Sequence, residues 1–484
     1  MPENEPPFDP IPDALPADDS IDAPSSDISL APESSDGAAI VPLDVPPATQ
    51  SLMQEPRWPH PGFGWALLWC VLFCIVTQIP GAIIVALVVA AVAILSPSTL
   101  PFETLSKPDE LYKTDAVNVA LAAGQFFAEI LVVGFSWLVI RLVVGKDWTR
   151  QLAVRRPSLA HTLLILASVP ATVFVGSLSY GLIRESGWVP SISDKNPLNV
   201  LYFWTAVFAV LGAALLAARL LAGSGWTRKL AARPAQPADL LVAAVILPVL
   251  VVCTFVVYEG LRRIVGAPPG MEEMKVGGME EMMKLIGKWP VGFAVLVIGV
   301  GPGIGEELWC RGFLGRGLVG GHGVVLGVLA SSFLFGLIHI DPCQGAMAMI
   351  MGLWLHFVYL STRSLWMPIL LHFLNNSLNV LETHLPSLQQ LDAKPQDIPL
   401  LVYITGLLLL GCVAYALYQS RARLAARSPD LPLLWRPAFE GVQYPSAGSA
   451  VRVVHPSPSP LAVVLTGGVF FLFVGACVSW LSQG

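Results

Sequence analysis

Charge is scarce in this chain. Asp, Glu, Lys and Arg make up 13% of its 484 residues, against 54% hydrophobic residues and a mean hydropathy of +0.66. That balance excludes an ordinary soluble globular protein and points to a polytopic membrane protein whose main solvent is the bilayer. None of the seven cysteines stands in a CxxC pair, which excludes a cysteine-built zinc site or a secreted disulfide framework. Five of them, Cys70, Cys74, Cys253, Cys412 and Cys477, fall inside apolar runs. The first 50 residues lack Lys and Arg altogether but hold eleven acidic residues among many Pro and Ser, the signature of a disordered tail. With no positive region leading into a short apolar one, this tail is not expected to be a signal peptide. Beyond it, 23 acidic residues face 28 basic ones, so the membrane-embedded part is mildly basic.

What is present in abundance is apolar helix. A span takes about 20 mostly apolar residues, and about eleven candidates lie near 63–95, 117–144, 160–183, 201–218, 238–261, 290–305, 323–340, 344–362, 365–382, 400–419 and 459–481. Gln78 and Pro80 interrupt the first, which reads as one kinked helix or as a span with a re-entrant piece. Taken as one helix, alternating loops place eighteen Lys and Arg on the amino-terminal side and ten on the other. The positive-inside rule then puts the amino terminus and the loop bearing Arg311 in the cytoplasm. The expected fold is therefore all-α, a polytopic transmembrane helical bundle.

"RLVVGKDWTRQLAVR" (141–155) returns 78 residues later as "RLLAGSGWTRKLAAR" (219–233), with Pro170/Pro248, Tyr180/Tyr258 and Arg184/Arg262 in register. A two-helix unit, about 141–184 and 219–262, is duplicated in one orientation, and interfacial anchoring by Trp and Arg is the plainest account of its loops. "MEEMKVGGMEEMMKLIGKW" (271–289) reads as an interfacial amphipathic helix. The expected organisation is a tail at 1–56, a transmembrane region with the duplication at 57–270, the amphipathic segment at 271–289, a polar-motif core at 290–382, and a two-helix extension with a polar loop at 383–484.

Ionisable residues within spans are costly and mark function by default, and here they gather in one window. In "GPGIGEELWCRGFL", Glu307 and Arg311 are four apart in the favourable order for an ion pair, while Glu306 points about 100° away around a helix. The next span carries Phe335 and His339 four apart. Two spans later come His372 and Asn376, again four apart. No HExxH occurs, and no Ser or Cys stands beside a base in these motifs, so a covalent acyl route has no evident nucleophile. A carboxylate can instead take a proton from water, with a histidine orienting that water. A second histidine and an amide can donate to the developing oxyanion, about 3–4 kcal/mol per donor in a dry site. The same residues offer a second reading, in which Glu306, His339 and His372 form a three-ligand zinc set with an open position for water.

In the order "EELWCR", "FGLIH", "HFLNN", the chain resembles the EExxxR, FxxxH and HxxxN signatures of the CPBP family of intramembrane endopeptidases, which includes the CAAX prenyl-protease and bacteriocin-processing (Abi) proteins. The likeness covers about residues 290–382. It implies a helical membrane core of about eight spans around a conical cavity open to the cytosol. By this resemblance Glu306 is the general base, His339 orients the attacking water, and His372 and Asn376 form the oxyanion site. Glu307 and Arg311 are supporting members, and Phe335 fills the aromatic position. No cofactor is implied; the partners are membrane lipid and a peptide or protein substrate, one form of which has a membrane-anchored C-terminus, with no nucleic acid. The expected location is a bacterial cell membrane. A catalytically idle scaffold or immunity protein and a proton-coupled transporter are the competing classes. Cys310, Cys343 and Asp341 lie close to the motifs, either incidentally or as adjuncts to the site.

Overall fold

A computed structural model describes residues 62–106, 111, 114–190, 198–223, parts of 249–264, 279–385, 398–426 and 451–482. The acidic tail, most of the second duplicated unit, the first Met-Glu-Glu-Met and most of the polar loop before the last helix lie outside the described residues. The described chain is helical apart from one antiparallel pair of strands, β1 (Arg423–Ala426) and β2 (Val451–Val454), with Arg423 opposite Val454.

The helices are α1 (Phe63–Leu95), α2 (Asp115–Val143), α3 (Leu159–Glu185), α4 (Leu198–Ala222), α5 (Met279–Ile286), α6 (Val291–His322), α7 (Val324–Leu337), α8 (Pro342–Thr362), α9 (Trp366–His384), α10 (Leu400–Gln419) and α11 (Pro460–Leu481). Side-chain caps fix several starts: Thr114, Ser158, Asp341 and Ser459 accept from Val117, His161, Gln344 and Ala462 amides, each satisfying a backbone donor that a helix start leaves open.

Eight of these helices are long and apolar enough to cross a membrane, which makes the chain an integral, all-α membrane bundle. α7, with 14 residues, is shorter than a span, and α9 carries His372, Asn375, Asn376 and Asn379, which lower its apolar character. Both were among the eleven candidate spans; α9 brings His372 and Asn375 inward, and His339 follows the end of α7. α1 runs unbroken through Pro80 for 33 residues, so the run is a single helix and the re-entrant piece is not formed. Its outward face is bare apolar surface, including Leu87, Ile94 and Leu95, and so is that of α11, with Phe471 at 75% exposure. Such continuous exposed apolar surface is stable only against lipid.

The core is centred on α6. Trp309, fully buried, stacks on Phe73 of α1 at 4.8 Å and packs against Phe135 of α2 at 5.4 Å and Phe313 at 5.0 Å between ring centroids. These rings hold the motif helix against α1 and α2. At one end of the bundle the Trp-Thr-Arg loop is tied to its neighbours: Tyr359 donates to the Leu152 carbonyl (2.8 Å), Ser364 to that of Arg155 (2.7 Å), and the Leu365 amide to that of Ala153 (3.1 Å). For this first copy of the loop, fixing the α8–α9 turn is the observed role.

Candidate active site

The first motif sits on α6, which is not wound as a plain α-helix. Val295–Val300 and Leu308–Gly315 are π-helical, flanking the α-helical stretch Gly301–Glu307 that ends in the two glutamates. π-turns shift the angular register of whatever follows, and they recur at functional sites. The interior helix still closes the Glu307–Arg311 pair, Nη1 to Oε1 at 2.8 Å with both side chains wholly buried. Arg311 also donates from Nη2 to the Gly352 carbonyl at 3.3 Å, and its guanidinium carbon lies 4.2 Å from the Phe335 ring centroid. A buried cation is tolerable only with such partners: an acid, a carbonyl and an aromatic face.

Phe335 thereby acquires a role that the sequence alone did not supply. One face carries Arg311, while the rings of His339 and His372 meet it edge-on at 5.1 Å and 5.8 Å. It is the floor that holds cation and histidines in one cluster.

His339 lies beyond the end of α7 rather than within it. Leu337 is the last helical residue, and a three-residue turn follows in which the Asp341 amide donates to the His339 carbonyl at 2.6 Å across Ile340 at φ 62°. A β-branched residue at positive φ is strained, at about 1–3 kcal/mol, and persists only where the surroundings enforce it. Trp204 Nε1 does so by donating to the Ile340 carbonyl at 2.7 Å. The turn leaves His339 Nδ1 2.8 Å from the Phe335 carbonyl. Because a carbonyl only accepts, Nδ1 carries the proton and Nε2 presents a lone pair.

α9 brings the third motif alongside. His372 Nδ1 is 2.9 Å from Glu307 Oε1, the oxygen that Arg311 also reaches, and its Nε2 is 4.0 Å from Glu306 Oε2. Asn376 donates from Nδ2 to the Ile298 carbonyl at 3.0 Å and accepts from Asn375 at 3.2 Å. That carbonyl belongs to the first π-helical stretch, so Asn376 supports the distorted helix with one amide hydrogen and retains the other for a ligand. Glu306 differs from its neighbour: its side chain is 17% exposed and no cation reaches it within hydrogen-bond distance, whereas Glu307 is held at Oε1 by both Arg311 and His372; Oε2 of each is buried without a hydrogen-bond partner. The structure thus brings Glu306, Glu307, Arg311, Phe335, His339 and His372 into one cluster, with Asn376 one turn along α9.

The zinc reading asks Glu306, His339 and His372 to converge on one point. Among the described residues no group of three His, Cys, Asp or Glu side chains is arranged to hold a metal ion. The nearby extras are accounted for structurally. Asp341 caps α8, the Cys343 thiol donates to the Val189 carbonyl at 3.3 Å, and the Cys310 carbonyl receives the Ser331 hydroxyl at 2.7 Å.

Two buried polar residues beside the cluster escaped the motif reading. Glu129 of α2, in the apolar run "AAGQFFAEILVV", packs against Gly301, and His356 of α8, 1% exposed, packs against Gly315. The sequence signal for Glu129 was an ionisable residue in the middle of a span. His356 had only the weaker signal of a histidine in an apolar helix.

A bundle of membrane helices with this ordered cluster of Glu, Arg and His defines a polytopic, all-α membrane protein with a buried polar site. More particularly, residues 288–378 match the family of type II CAAX prenyl endopeptidase Rce1-like proteins. Searches of curated proteins and of solved structures return no match.

Proposed function

We propose that this protein is an intramembrane endopeptidase that hydrolyses a peptide bond near the cytoplasmic membrane face with water activated by Glu306. The observation that carries the reading is the asymmetry of the two adjacent carboxylates. Glu307 is locked through Oε1 by Arg311 and His372, whereas Glu306 is partly exposed and His372 stops 4.0 Å short of its Oε2, which is buried without a hydrogen-bond partner. An unpartnered buried acceptor costs about 1–3 kcal/mol, and a water donating to Glu306 removes that cost while placing a proton where a base can take it. His339, with Nε2 as its lone-pair nitrogen, accepts the second hydrogen of the same water and so aims its oxygen.

In this reading His372 serves the oxyanion. Its Nδ1 faces a carboxylate that can only accept, so Nε2 can donate to a developing oxyanion only when the ring carries both protons. The second amide hydrogen of Asn376 is the other donor, and the Ile298 bond fixes its plane. Preorganised donors of this kind act where charge develops rather than in the ground state. The family match of the core to CAAX prenyl endopeptidases supports the same reaction class, and a bacterial cell membrane with a cytoplasmic amino terminus is the setting we infer.

The experiment compares neo-termini across the membrane proteome of wild-type, Glu306→Ala and His339→Ala cells. The reading expects a set of termini present only in wild type. Identical sets in all three would remove the enzyme reading and leave a scaffold or a transporter.

A further inference from the structure

Glu129 is 8% exposed within α2, at mid-span among apolar residues. Gln125, one turn earlier, donates from Nε2 to Glu129 Oε1 at 2.8 Å and so fixes the plane of the carboxylate. The other oxygen, Oε2, is buried and has no hydrogen-bond partner. It is aimed at the motif helix: a Cβ added at Gly301 would stand 2.8 Å from Oε2 and 2.7 Å from the Glu129 Cβ. Gly305, one turn further along the same face, fits equally closely against Val132 and Val133. Two glycines therefore let α2 press its carboxylate against the helix that carries Glu306.

A buried carboxylate that no protein group completes is costly in a bilayer, and such groups persist where they serve a ligand. In the peptidase reading, the attacking water has Glu306 and His339 as acceptors for its two hydrogens. What lacks acceptors is the substrate. A peptide drawn into a membrane cavity for cleavage is extended, and its backbone N–H groups have no water to donate to.

We propose that Glu129 is a substrate-positioning residue, its free oxygen accepting a hydrogen bond from one backbone N–H of the bound peptide. The inference rests on the peptidase reading above. It explains why the carboxylate is held by Gln125 on one side only, and why glycine stands where a Cβ would collide with Oε2.

The test uses the full-length protein in lipid nanodiscs. The probes are synthetic peptides spanning a cleavage site mapped by the wild-type against Glu306→Ala comparison, in a series with each amide N–H in turn replaced by an ester oxygen. In wild type one replacement raises KM by about tenfold, the size of a hydrogen bond to a charged group. Glu129→Gln, which keeps the Gln125 contact but offers an NH₂ in place of the free oxygen, raises KM for the parent peptide by a similar factor at unchanged kcat. In that variant the same ester costs nothing further. Glu129→Asp, which withdraws the oxygen by one methylene, gives an intermediate value and serves if the glutamine variant misfolds. Wild-type KM in both variants, or an ester penalty that persists in them, overturns the proposal while leaving the peptidase reading intact. If no cleavage depends on Glu306, the peptidase reading falls and this inference falls with it.

Discussion

His372 and Arg311 share one oxygen: Oε1 of Glu307 lies 2.9 Å from His372 Nδ1 and 2.8 Å from Arg311 Nη1. A single buried acceptor thus ties the first motif to the third. Glu307 belongs to the frame of the site, since its contacts are made before any substrate arrives.

That arrangement makes Glu307 a stability residue first. Glu307→Gln removes the charge opposite a wholly buried guanidinium, and breaking a buried pair from one side costs about 3–5 kcal/mol. Thermal unfolding in detergent is expected to show a markedly lower midpoint for Glu307→Gln, and a smaller loss for Glu306→Gln, whose carboxylate has no partner to abandon. Equal midpoints for the two variants would contradict the division between them.

The closeness of α2 and α6 is equally testable. A Cβ at Gly305 would stand 2.4 Å from Val132 Cγ1 and 2.9 Å from the Val133 backbone nitrogen, so the clash cannot be relieved by a rotamer change alone. Gly305→Ala is expected to cost about 1–3 kcal/mol. Gly292→Ala, on the same helix with nothing within 4 Å, is the matched control and is expected to be near neutral. The comparison is read as the difference in unfolding midpoint.

Metal dependence separates the two chemistries that Glu306, His339 and His372 allow. Purified protein is expected to hold no stoichiometric zinc and to keep its peptidase activity after exhaustive chelation. Loss of activity on chelation with recovery on adding zinc would reinstate a metal-bound water.

Outside the membrane spans, His455 follows β2 and sets a pH dependence. Arg155 Nη2 lies 3.1 Å from His455 Nε2, and since arginine only donates, His455 accepts as the neutral ring. Burial, with the charges of Arg155, His161 and Arg363, lowers its pKa from 6.5 to about 4. The unfolded ring binds a proton below pH ~6.5 and the folded one resists until about 4, so this contribution is full above that range and is lost as pH falls through it. Protection from hydrogen exchange at 423–426 and 451–454, taken relative to the intrinsic rate at each pH, is expected to fall between pH 6.5 and 4 in wild type, with a shallower dependence in His455→Gln. Equal slopes would exclude His455 as the cause.

Much of the bundle was legible because lipid imposes a simple rule, a long apolar run for each crossing, and α1, α2, α3, α10 and α11 obey it. α7 and α9 do not: their sequences are apolar enough to suggest spans, yet one is short and the other carries asparagines that face partners inside. The i,i+4 spacing of Glu307 and Arg311 led directly to the ion pair, since that contact is local to one helix. The π-helical stretches at Val295–Val300 and Leu308–Gly315 were not legible. Their partners are non-local: Asn376 of another helix bonds to the first, and Trp309 packs the second against α1 and α2. The strained turn that takes His339 out of α7 is likewise held by Trp204, which is distant in sequence. Phe335 matched a motif without a reason, and the reason emerged only when Arg311 and both histidines met its ring.

The central claim, that Glu306 activates the attacking water, is tested most directly by kcat of purified Glu306→Gln on a peptide that wild type cleaves. The account predicts a fall of about 10²–10⁴-fold, the range for losing a general base, with KM and unfolding midpoint close to wild type. A Glu306→Gln enzyme that keeps wild-type kcat would contradict it.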